Sequence, residues 1–288
     1  MGLLGAYLAH RMHLPLAASW HTNVHEYAAR RADWLLRLLP KRHSAATGQK
    51  IEDLALATAA WFYRKAKVLF APNRELCALL ERSTGRPCFL MPRGVDAELF
   101  HPARRTRALD DPMRLLGFVG RLSIEKNIGL LVEIEKNLDR NQEKFLIVGH
   151  GGDEAWLRQR LHRAEFTGVL RGEELSRAYA NMDLFVFPSH TDTFGNVVLE
   201  ALASGVPAIV TPDGGPRSIV RDGETGRIVP DAEFASAIRE ILADPARRAA
   251  MRHAARAYAL TASWDSVFDG VYAAYQRLFP VQRRTAAD

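Results

Sequence analysis

The feature that most constrains the fold is an alternation that begins near Met113. Short β-branched or aromatic runs are followed by stretches with the apolar spacing of amphipathic helices, a pattern typical of βαβ units and a parallel sheet. The runs are LLGFVG (115–120), KFLIVG (144–149), FTGVL (166–170), LFVFP (184–188), PAIVT (207–211) and GRIVP (226–230). Right-handed crossovers between such strands would place helices on both faces, so the pattern predicts a complete doubly wound α/β domain.

The first hundred residues show a shorter form of the same alternation. Three runs are visible, LPLAASW (14–20), KVLFAP (67–72) and PCFLMP (87–92), and residues 101–112 have the composition of a linker. Three strands predict an incomplete first domain that lacks its opening strands and any glycine-rich loop after them. We therefore expect a partial domain over 1–103, a second domain over 104–262, and a last helix within 263–288 that packs back toward the first.

Composition excludes several classes of protein. With 288 residues, 48% hydrophobic and 25% charged, the chain matches globular averages and differs from disordered, collagenous and coiled-coil sequences. Cys77 and Cys88 are too few for a disulfide framework and lack zinc-site spacing, which favours a reducing compartment. Every apolar run is shorter than the roughly 18 residues of a spanning helix, so we expect a cytoplasmic protein.

The positive charge lies in the first third of the chain. Residues 1–103 carry 14 Lys and Arg against 8 Asp and Glu, whereas the remaining residues carry 25 of each kind. This surplus predicts either an ordinary solvated surface or a face attracted to anionic lipid or another polyanion. The basic residues concerned are Arg30, Arg31, Lys41, Arg42, Arg64, Lys65 and Lys67.

Two clusters follow the first two strands of the larger domain, where doubly wound folds bind their ligands. Gly120 ends a strand, and the cations Arg121 and Lys126 then precede a helix, an arrangement suited to holding a diphosphate without a metal. Gly149 and Gly151 lie in a turn whose small side chains would allow a ligand to approach closely. Either cluster taken alone also fits plain strand-to-helix architecture.

The third cluster, residues 188–200, carries more information. Asp192 and Glu200 are separated by seven residues, and a helix predicted to begin near Phe194 would direct free N–H groups toward the mouth of the sheet. Apolar neighbours surround Glu200, and a buried carboxylate needs a partner. The two acids could hold hydroxyl groups on either side of a diphosphate, as the binding of a nucleotide sugar would require.

Several of these motifs together resemble a known enzyme family. They are ASWHTN, MPRGVDAELFHP, GFVGRLSIEKN, FLIVGHGG, FVFPSHTDTFGNVVLEALASGVPAIVTPDGG and RDGETGRIV. They resemble the retaining glycosyltransferases of the GT-B fold, family 4 (glycosyl transferases group 1), over most of the chain. The resemblance implies two Rossmann-like doubly wound domains that face a cleft, the N-terminal one incomplete here.

The resemblance also implies roles for particular residues. Arg121 and Lys126 would grip the donor's diphosphate, and Glu200 would bind the ribose of the nucleotide. Asp192, at a position that is usually Glu in the family, would lie near the donor sugar, as would His21 from the other domain. The residues expected to contact the donor are Gly120, Gly149, Gly151, Thr193, Phe194, Gly195 and Asn196.

The expected activity is transfer of a hexose from GDP-mannose or a UDP-hexose to an acceptor hydroxyl, with retention of anomeric configuration. The motifs resemble bacterial members with lipid or glycolipid acceptors, which implies a peripheral position on the inner face of the plasma membrane. No metal, cofactor or nucleic-acid partner is expected, and the chain contains no Asp-x-Asp motif. Two alternatives remain: a truncated nucleotide-sugar binding protein without catalysis, or a GT-B epimerase.

Overall fold

The computed structural model describes residues 2–21 and 44–279. The chain divides into two compact units. Unit 1 comprises Met1–Pro92 and Asp265–Asp288, and unit 2 comprises Arg93–Trp264. Each unit is built around its own parallel sheet.

The strands are short and lie close to the positions that the sequence predicts. Within the described residues they are β1 (Ala17–Ser19), β2 (Val68–Ala71), β3 (Cys88–Leu90), β4 (Arg114–Val119), β5 (Glu143–Val148), β6 (Ala164–Gly168), β7 (Leu184–Phe187), β8 (Ala208–Val210) and β9 (Gly226–Ile228). The helices between and around them are α1 (Gly2–Arg11), α2 (Ser44–Tyr63), α3 (Arg74–Thr84), α4 (Gly129–Glu135), α5 (Glu154–Arg158), α6 (Gly172–Asn181), α7 (Asn196–Ala203), α8 (Phe234–Ala243), α9 (Pro245–Thr261) and α10 (Trp264–Leu278).

Unit 2 has the doubly wound topology. Its six strands pair in parallel in the order β6-β5-β4-β7-β8-β9, so the chain reverses direction across the sheet between β4 and β7. All residues of β7 and β8 are buried, as expected for a parallel sheet covered on both faces. The predicted α/β fold is therefore confirmed, and the switch between β4 and β7 is where such sheets bind ligands.

Residues 93–112, which the sequence places around a linker, pack on unit 2. Val95 and Phe100 belong to its hydrophobic core. Asp183, at the start of β7, forms ion pairs with Arg105 at 2.9 Å and Arg107 at 3.2 Å. The same carboxylate accepts a hydrogen bond from the backbone N–H of Leu115, so a buried charge is paired and fully hydrogen-bonded.

Unit 1 has a smaller sheet, with strand order β1-β2-β3. One apolar cluster includes Trp20, Leu69 and Leu80, and a second joins Val68 and Phe70 of β2 to residues of α10. Helix α3 is capped at its N-terminus by Asn73, whose side chain accepts a hydrogen bond from the backbone N–H of Leu76, and it ends before the left-handed Gly85. No helix in the described residues is both long and apolar enough to cross a bilayer.

Candidate functional site

The predicted phosphate and sugar residues of unit 2 lie at the carboxyl edge of its sheet. The loops after β4, β5, β7 and β8 meet there because parallel strands all end on the same side. Their backbones touch one another directly, and this contact explains most of the glycines in the motifs.

Gly149 and Gly151 bring the loop after β5 against the loop after β4. A Cβ atom on Gly149 would lie 1.9 Å from the carbonyl oxygen of Gly120, and one on Gly151 would lie 2.1 Å from that of Leu122. The backbone N–H of Leu122 donates to the carbonyl of His150 at 3.1 Å. Contact between the loops therefore requires these glycines, and their contact with a donor remains a prediction.

The loop that carries Asp192 is supported in the same way by the loop after β8. Gly195 has a left-handed φ of 98° immediately before α7. A Cβ on Gly215 would lie 2.1 Å from the carbonyl oxygen of Thr193. The backbone N–H of Gly215 donates to the carbonyl of Asp192 at 2.6 Å, which fixes this loop against its neighbour.

Lys126 and Asp192 form an ion pair at this edge. The Lys126 Nζ atom lies 2.6 and 2.7 Å from the two carboxylate oxygens of Asp192. Both side chains are largely shielded, with 16% and 21% of their surface exposed. The Nζ atom also lies 5.9 Å from the ring centre of Phe187 in β7. Two residues chosen from separate motifs are thus in direct contact, as a cation and an anion that compensate each other.

Arg121 lies five positions before Lys126 in the chain, but it is more exposed to solvent than Lys126. Its side chain is exposed, directly after β4, and it forms no ion pair with any residue that the structure describes. An exposed guanidinium with five donors suits a phosphate, since it loses no internal partner on binding one.

Glu200 lies half-buried on α7 and has a partner that the sequence did not reveal. Its Oε2 atom accepts a hydrogen bond of 2.8 Å from the hydroxyl of Tyr179, a fully buried residue of α6. Burial raises the pKa of the Glu200 carboxyl, and the Tyr179 hydrogen bond partly opposes this shift. Burial and the nearby carboxylate raise the pKa of Tyr179 well above its ordinary value. Within the described residues, Oε1 accepts no hydrogen bond and remains available to a ligand.

The residues at the N-terminus of α7 offer backbone N–H groups and one exposed side-chain amide. Phe194 is buried, Gly195 precedes the helix, and Asn196 is exposed at its first position. The N-terminus of a helix carries a partial positive charge and free N–H groups, which favour an anion. Thr193, half-buried on the same loop, completes the predicted set in this region.

His21 belongs to unit 1, where it follows β1. Its Nε2 atom lies 2.6 Å from the hydroxyl oxygen of Ser19, and the residue is exposed. Its role at the donor sugar remains a prediction. The basic residues Arg30, Arg31, Lys41 and Arg42 lie outside the described residues.

Sequence analysis missed a second polar group at the same edge of unit 2. We call Asn127, His190, Asp213 and Asp231 the His190 cluster. They follow β4, β7, β8 and β9 respectively, and their side chains are within hydrogen-bond distance of one another. In the sequence, the available signal for this cluster was His190, a polar residue two positions before Asp192. In the part of the chain that the structure describes, no three His, Cys, Asp or Glu side chains form a metal-binding group.

Comparison with known proteins connects this site to a family. Residues 113–244 match the family model of glycosyl transferases group 1. A GDP-mannose-dependent alpha-mannosyltransferase of Mycobacterium tuberculosis is 32% identical over 285 residues, covering 96% of this chain and 70% of that protein. The enzyme of the same name from Corynebacterium glutamicum is 31% identical, with 95% of this chain and 62% of that protein covered. The chain thus spans about two thirds of the length of these relatives.

Solved structures show the same fold at lower identity. Sucrose-phosphate synthase from Thermosynechococcus elongatus has a TM-score of 0.75 at 24% identity, over 96% of this chain and 71% of that one. HepE from Anabaena, solved with UDP and glucose, has a TM-score of 0.73 at 19% identity, over 96% of this chain and 75% of that one. With its parallel sheets, its motif order and these relatives, the chain belongs to the group 1 glycosyl transferases of the GT-B fold.

Proposed function

We propose that this chain transfers a hexose from a nucleotide diphosphate sugar, with GDP-mannose as the first candidate donor and a UDP-hexose as the second. The observation that carries the proposal is the Lys126–Asp192 ion pair at the carboxyl edge of the sheet, on loops fixed by backbone contact. The names of the mannosyltransferase relatives support GDP-mannose, and the UDP bound to HepE supports a uridine nucleotide.

The ion pair has a specific part in this proposal. In the structure Asp192 compensates the charge of Lys126. A bound diphosphate offers Lys126 a stronger partner, and Arg121 adds a second cation. Asp192 is then released to accept hydrogen bonds from hydroxyls of the sugar. The two residues change partners within one site, so neither is left as an unpaired, shielded charge.

The same cations assist the reaction. The bond between the anomeric carbon and the phosphate oxygen breaks, and the acceptor oxygen forms a bond to that carbon on the same face. The proton of the acceptor hydroxyl passes to the departing phosphate. Negative charge accumulates on this phosphate, where Arg121, Lys126 and the N–H groups of α7 lower the barrier. Fixed cations supply this stabilisation in the proposal, and we expect activity to survive treatment with EDTA.

Glu200 is proposed to bind the ribose. Tyr179 holds its Oε2 atom, so the carboxylate has a fixed orientation before the nucleotide arrives. Its second oxygen is available to accept hydrogen bonds from the ribose hydroxyls. A preorganised acceptor of this kind costs little entropy on binding.

The acceptor is proposed to be a lipid or glycolipid hydroxyl at an anionic membrane surface on the cytoplasmic side. Large apolar side chains of unit 1, including Tyr7, Leu14 and Trp61, are exposed. They line a cavity of about 480 Å³ together with Lys65 and Lys67. An apolar surface bordered by lysines suits the boundary between acyl chains and acidic headgroups.

The test is incubation with GDP-mannose, UDP-glucose and related donors, with and without a lipid acceptor, while nucleotide release and sugar products are measured. Release that Lys126→Ala and Glu200→Ala each lower by about two orders of magnitude or more would support the proposal. Nucleotide binding without turnover under any acceptor condition would favour a binding protein. Conversion of the donor into its epimer would favour a GT-B epimerase. Turnover that is unchanged in either variant would remove the role assigned to that residue.

A further inference from the structure

The His190 cluster joins four loops of the sheet edge, mainly through side chains. The Nδ1 atom of His190 lies 2.9 Å from Asp213 Oδ2, and its Nε2 atom lies 3.0 Å from Asp231 Oδ1. The Asn127 amide donates to Asp231 Oδ2 at 2.9 Å and to the carbonyl of Pro188 at 3.2 Å. The ring is half-buried, with 23% of its side chain exposed.

The two ring nitrogens make different contacts with the two carboxylates. The contact with Asp213 is a hydrogen bond, and the contact with Asp231 is an ion pair to a buried oxygen that has no hydrogen-bond donor in the described residues. Each ring nitrogen thus faces a carboxylate oxygen, and a carboxylate only accepts hydrogen bonds. The Nε2 atom also lies 3.4 Å from the amide nitrogen of Asn127. The ring therefore lies between two carboxylates, and the Asn127 amide connects one of them to the loop after β4.

The cluster is connected to the donor residues through very short stretches of chain. Asn127 directly follows Lys126 and has a left-handed φ of 53°, which ends the 3₁₀ turn Ile124–Lys126. His190 lies two residues before Asp192. Between them, the hydroxyl of Thr191 donates to the carbonyl of Glu125 at 3.2 Å, a second bond between the same two loops.

We propose that His190 is a positioning residue for the Lys126–Asp192 pair. By pairing with Asp231, which in turn binds Asn127, it fixes the turn that carries Lys126. By binding Asp213, it fixes the loop of Asp192 against the loop after β8. His190 acts through these neighbours and need not touch the substrate. The positioning applies to the free protein, and its effect on nucleotide affinity rests on the proposed function.

The first measurement uses the protein without any ligand. Lys126 is labelled with acetic anhydride under limiting conditions, and its modification rate is followed by peptide mass spectrometry. In His190→Ala the Lys126 amine is expected to react about fivefold faster, since the two side-chain contacts with Asp213 and Asp231 that restrain its loop are lost. Lys136, an exposed lysine of unit 2, is the internal reference within the same sample.

Three further variants separate positioning from general damage. His190→Arg can donate to both carboxylates through its guanidinium, so it should restore the slow labelling of Lys126. His190→Gln retains a single amide donor group in place of the ring, and it should give an intermediate rate. His253→Ala removes an exposed histidine of α9 and should change neither the labelling rate nor nucleotide binding. Should His190→Ala fail to fold, Asp231→Asn weakens the same bridge and is expected to accelerate labelling in its place.

The second measurement is calorimetric titration with GDP and UDP. His190→Ala should weaken binding about tenfold and raise donor KM more than it lowers kcat, whereas His190→Arg should lie within about twofold of the natural protein. Unchanged Lys126 labelling in both His190→Ala and Asp231→Asn would overturn the inference, whatever the nucleotide result. Faster labelling in a protein that binds neither nucleotide would support the positioning role and count against the proposed function alone.

Discussion

Unit 1 and unit 2 are both parallel α/β sheets, but they support their loops to different degrees. In unit 2 the residues of β7 and β8 are all buried, and one continuous core extends from Val95 to Ala259. In unit 1, β1 is only half-buried, the core is divided into two small clusters, and large side chains such as Trp61 are exposed. The same alternation of strand and helix thus gives a continuous core beneath the loop edge only where enough strands are covered on both faces.

This difference explains why the cation–acid pair lies where it does. If Lys126 and Asp192 exchange partners with a ligand, as proposed, they need loops whose backbones stay in place when the side chains move. Unit 2 provides such loops through glycines that touch carbonyl oxygens and through the bridges around His190. We expect substitutions in the loop edge of unit 2 to be costly, and comparable substitutions in unit 1 to be mild.

The largest expected effect compares two glycines, one from each unit. In Gly149→Ala the new methyl group would lie 1.9 Å from the Gly120 carbonyl oxygen, so the backbone of two loops must move. We expect Tm to fall by about 10 °C or more. Gly85→Ala in unit 1 meets no atom within 4 Å and carries only the cost of its left-handed φ of 67°, about 1 kcal/mol or roughly 2–4 °C. Circular dichroism melts provide the measurement.

Gly152→Ala is the matched control for the unit 2 substitution. It lies in the same loop as Gly149, but a Cβ atom there has open space and the backbone is not left-handed. Its Tm should stay close to that of the natural protein. Equal Tm values for Gly149→Ala and Gly152→Ala would show that the loop backbones move at little cost in stability. The expected difference in sensitivity between the loops of unit 2 and unit 1 would then be wrong.

The second expected effect is on catalysis, at the carboxyl edge of the sheet in unit 2. Lys126→Ala removes the cation proposed to stabilise the departing phosphate, and kcat/KM for the donor is expected to fall at least about 100-fold, with little change in fold. Lys136→Ala, which breaks an exposed i,i+3 pair with Glu133 in the same unit, should leave kcat/KM within about twofold. Steady-state kinetics with both variants would decide this, and equal losses would argue against a specific role for Lys126.

Much of unit 2 was predictable from sequence because local patterns and tertiary structure agree there. The six strands follow from β-branched runs, and the location of Lys126 and Asp192 at one edge of the sheet follows from their positions after strand ends, whereas their ion pair was not predicted. Tyr179 as the partner of Glu200 was not predictable, since the two lie 21 positions apart and an aromatic residue on a helix normally indicates core packing. The His190 cluster was missed because its members come from four separate loops, and only the folded sheet brings them together.

The role of the glycines was only partly predictable. Their presence at strand ends correctly indicated a close approach. Sequence alone could not tell whether a ligand or another loop makes that approach, because both require the absence of a Cβ atom. At Gly149, Gly151 and Gly215 the approaching group is backbone.

A smaller effect is expected on the Tm when the buried carboxylate of Glu200 is replaced. Burial raises the folded-state pKa of Glu200, so its ionised form destabilises the folded state at neutral pH, and this penalty disappears when the group is protonated. Glu200→Gln should therefore raise Tm by about 2–4 °C at pH 7–8, the change that accompanies ~1 kcal/mol. The gain should shrink as the pH falls through the raised pKa toward the ordinary value of an unfolded glutamate. Melts between pH 4 and 8 would show this dependence.

Glu165→Gln provides the comparison for the pH series. Its carboxylate is exposed and pairs with Lys144 at 3.2 Å, so its loss should change Tm only slightly and without the same trend. A Tm gain for Glu200→Gln that grows as the pH falls would contradict the expected direction. It would mean that the folded state favours the ionised carboxylate, as a buried ion pair would.

The smallest expected effect on stability is that of replacing an exposed tryptophan. Such a replacement should distinguish the two units by membrane binding rather than by folding. Trp61 is 59% exposed and has the Lys65 ammonium 4.6 Å from its ring centre, whereas Trp156 of unit 2 is 40% exposed with the Arg160 guanidinium at 4.5 Å. Each Trp→Ser substitution removes a similar cation–π contact and should cost less than about 1 kcal/mol. Only Trp61→Ser is expected to weaken sedimentation with phosphatidylglycerol vesicles, by about fivefold, because only Trp61 borders the apolar cavity flanked by lysines. Equal losses in the two variants would indicate nonspecific adsorption of exposed tryptophan, and the proposed membrane surface of unit 1 would then have no support.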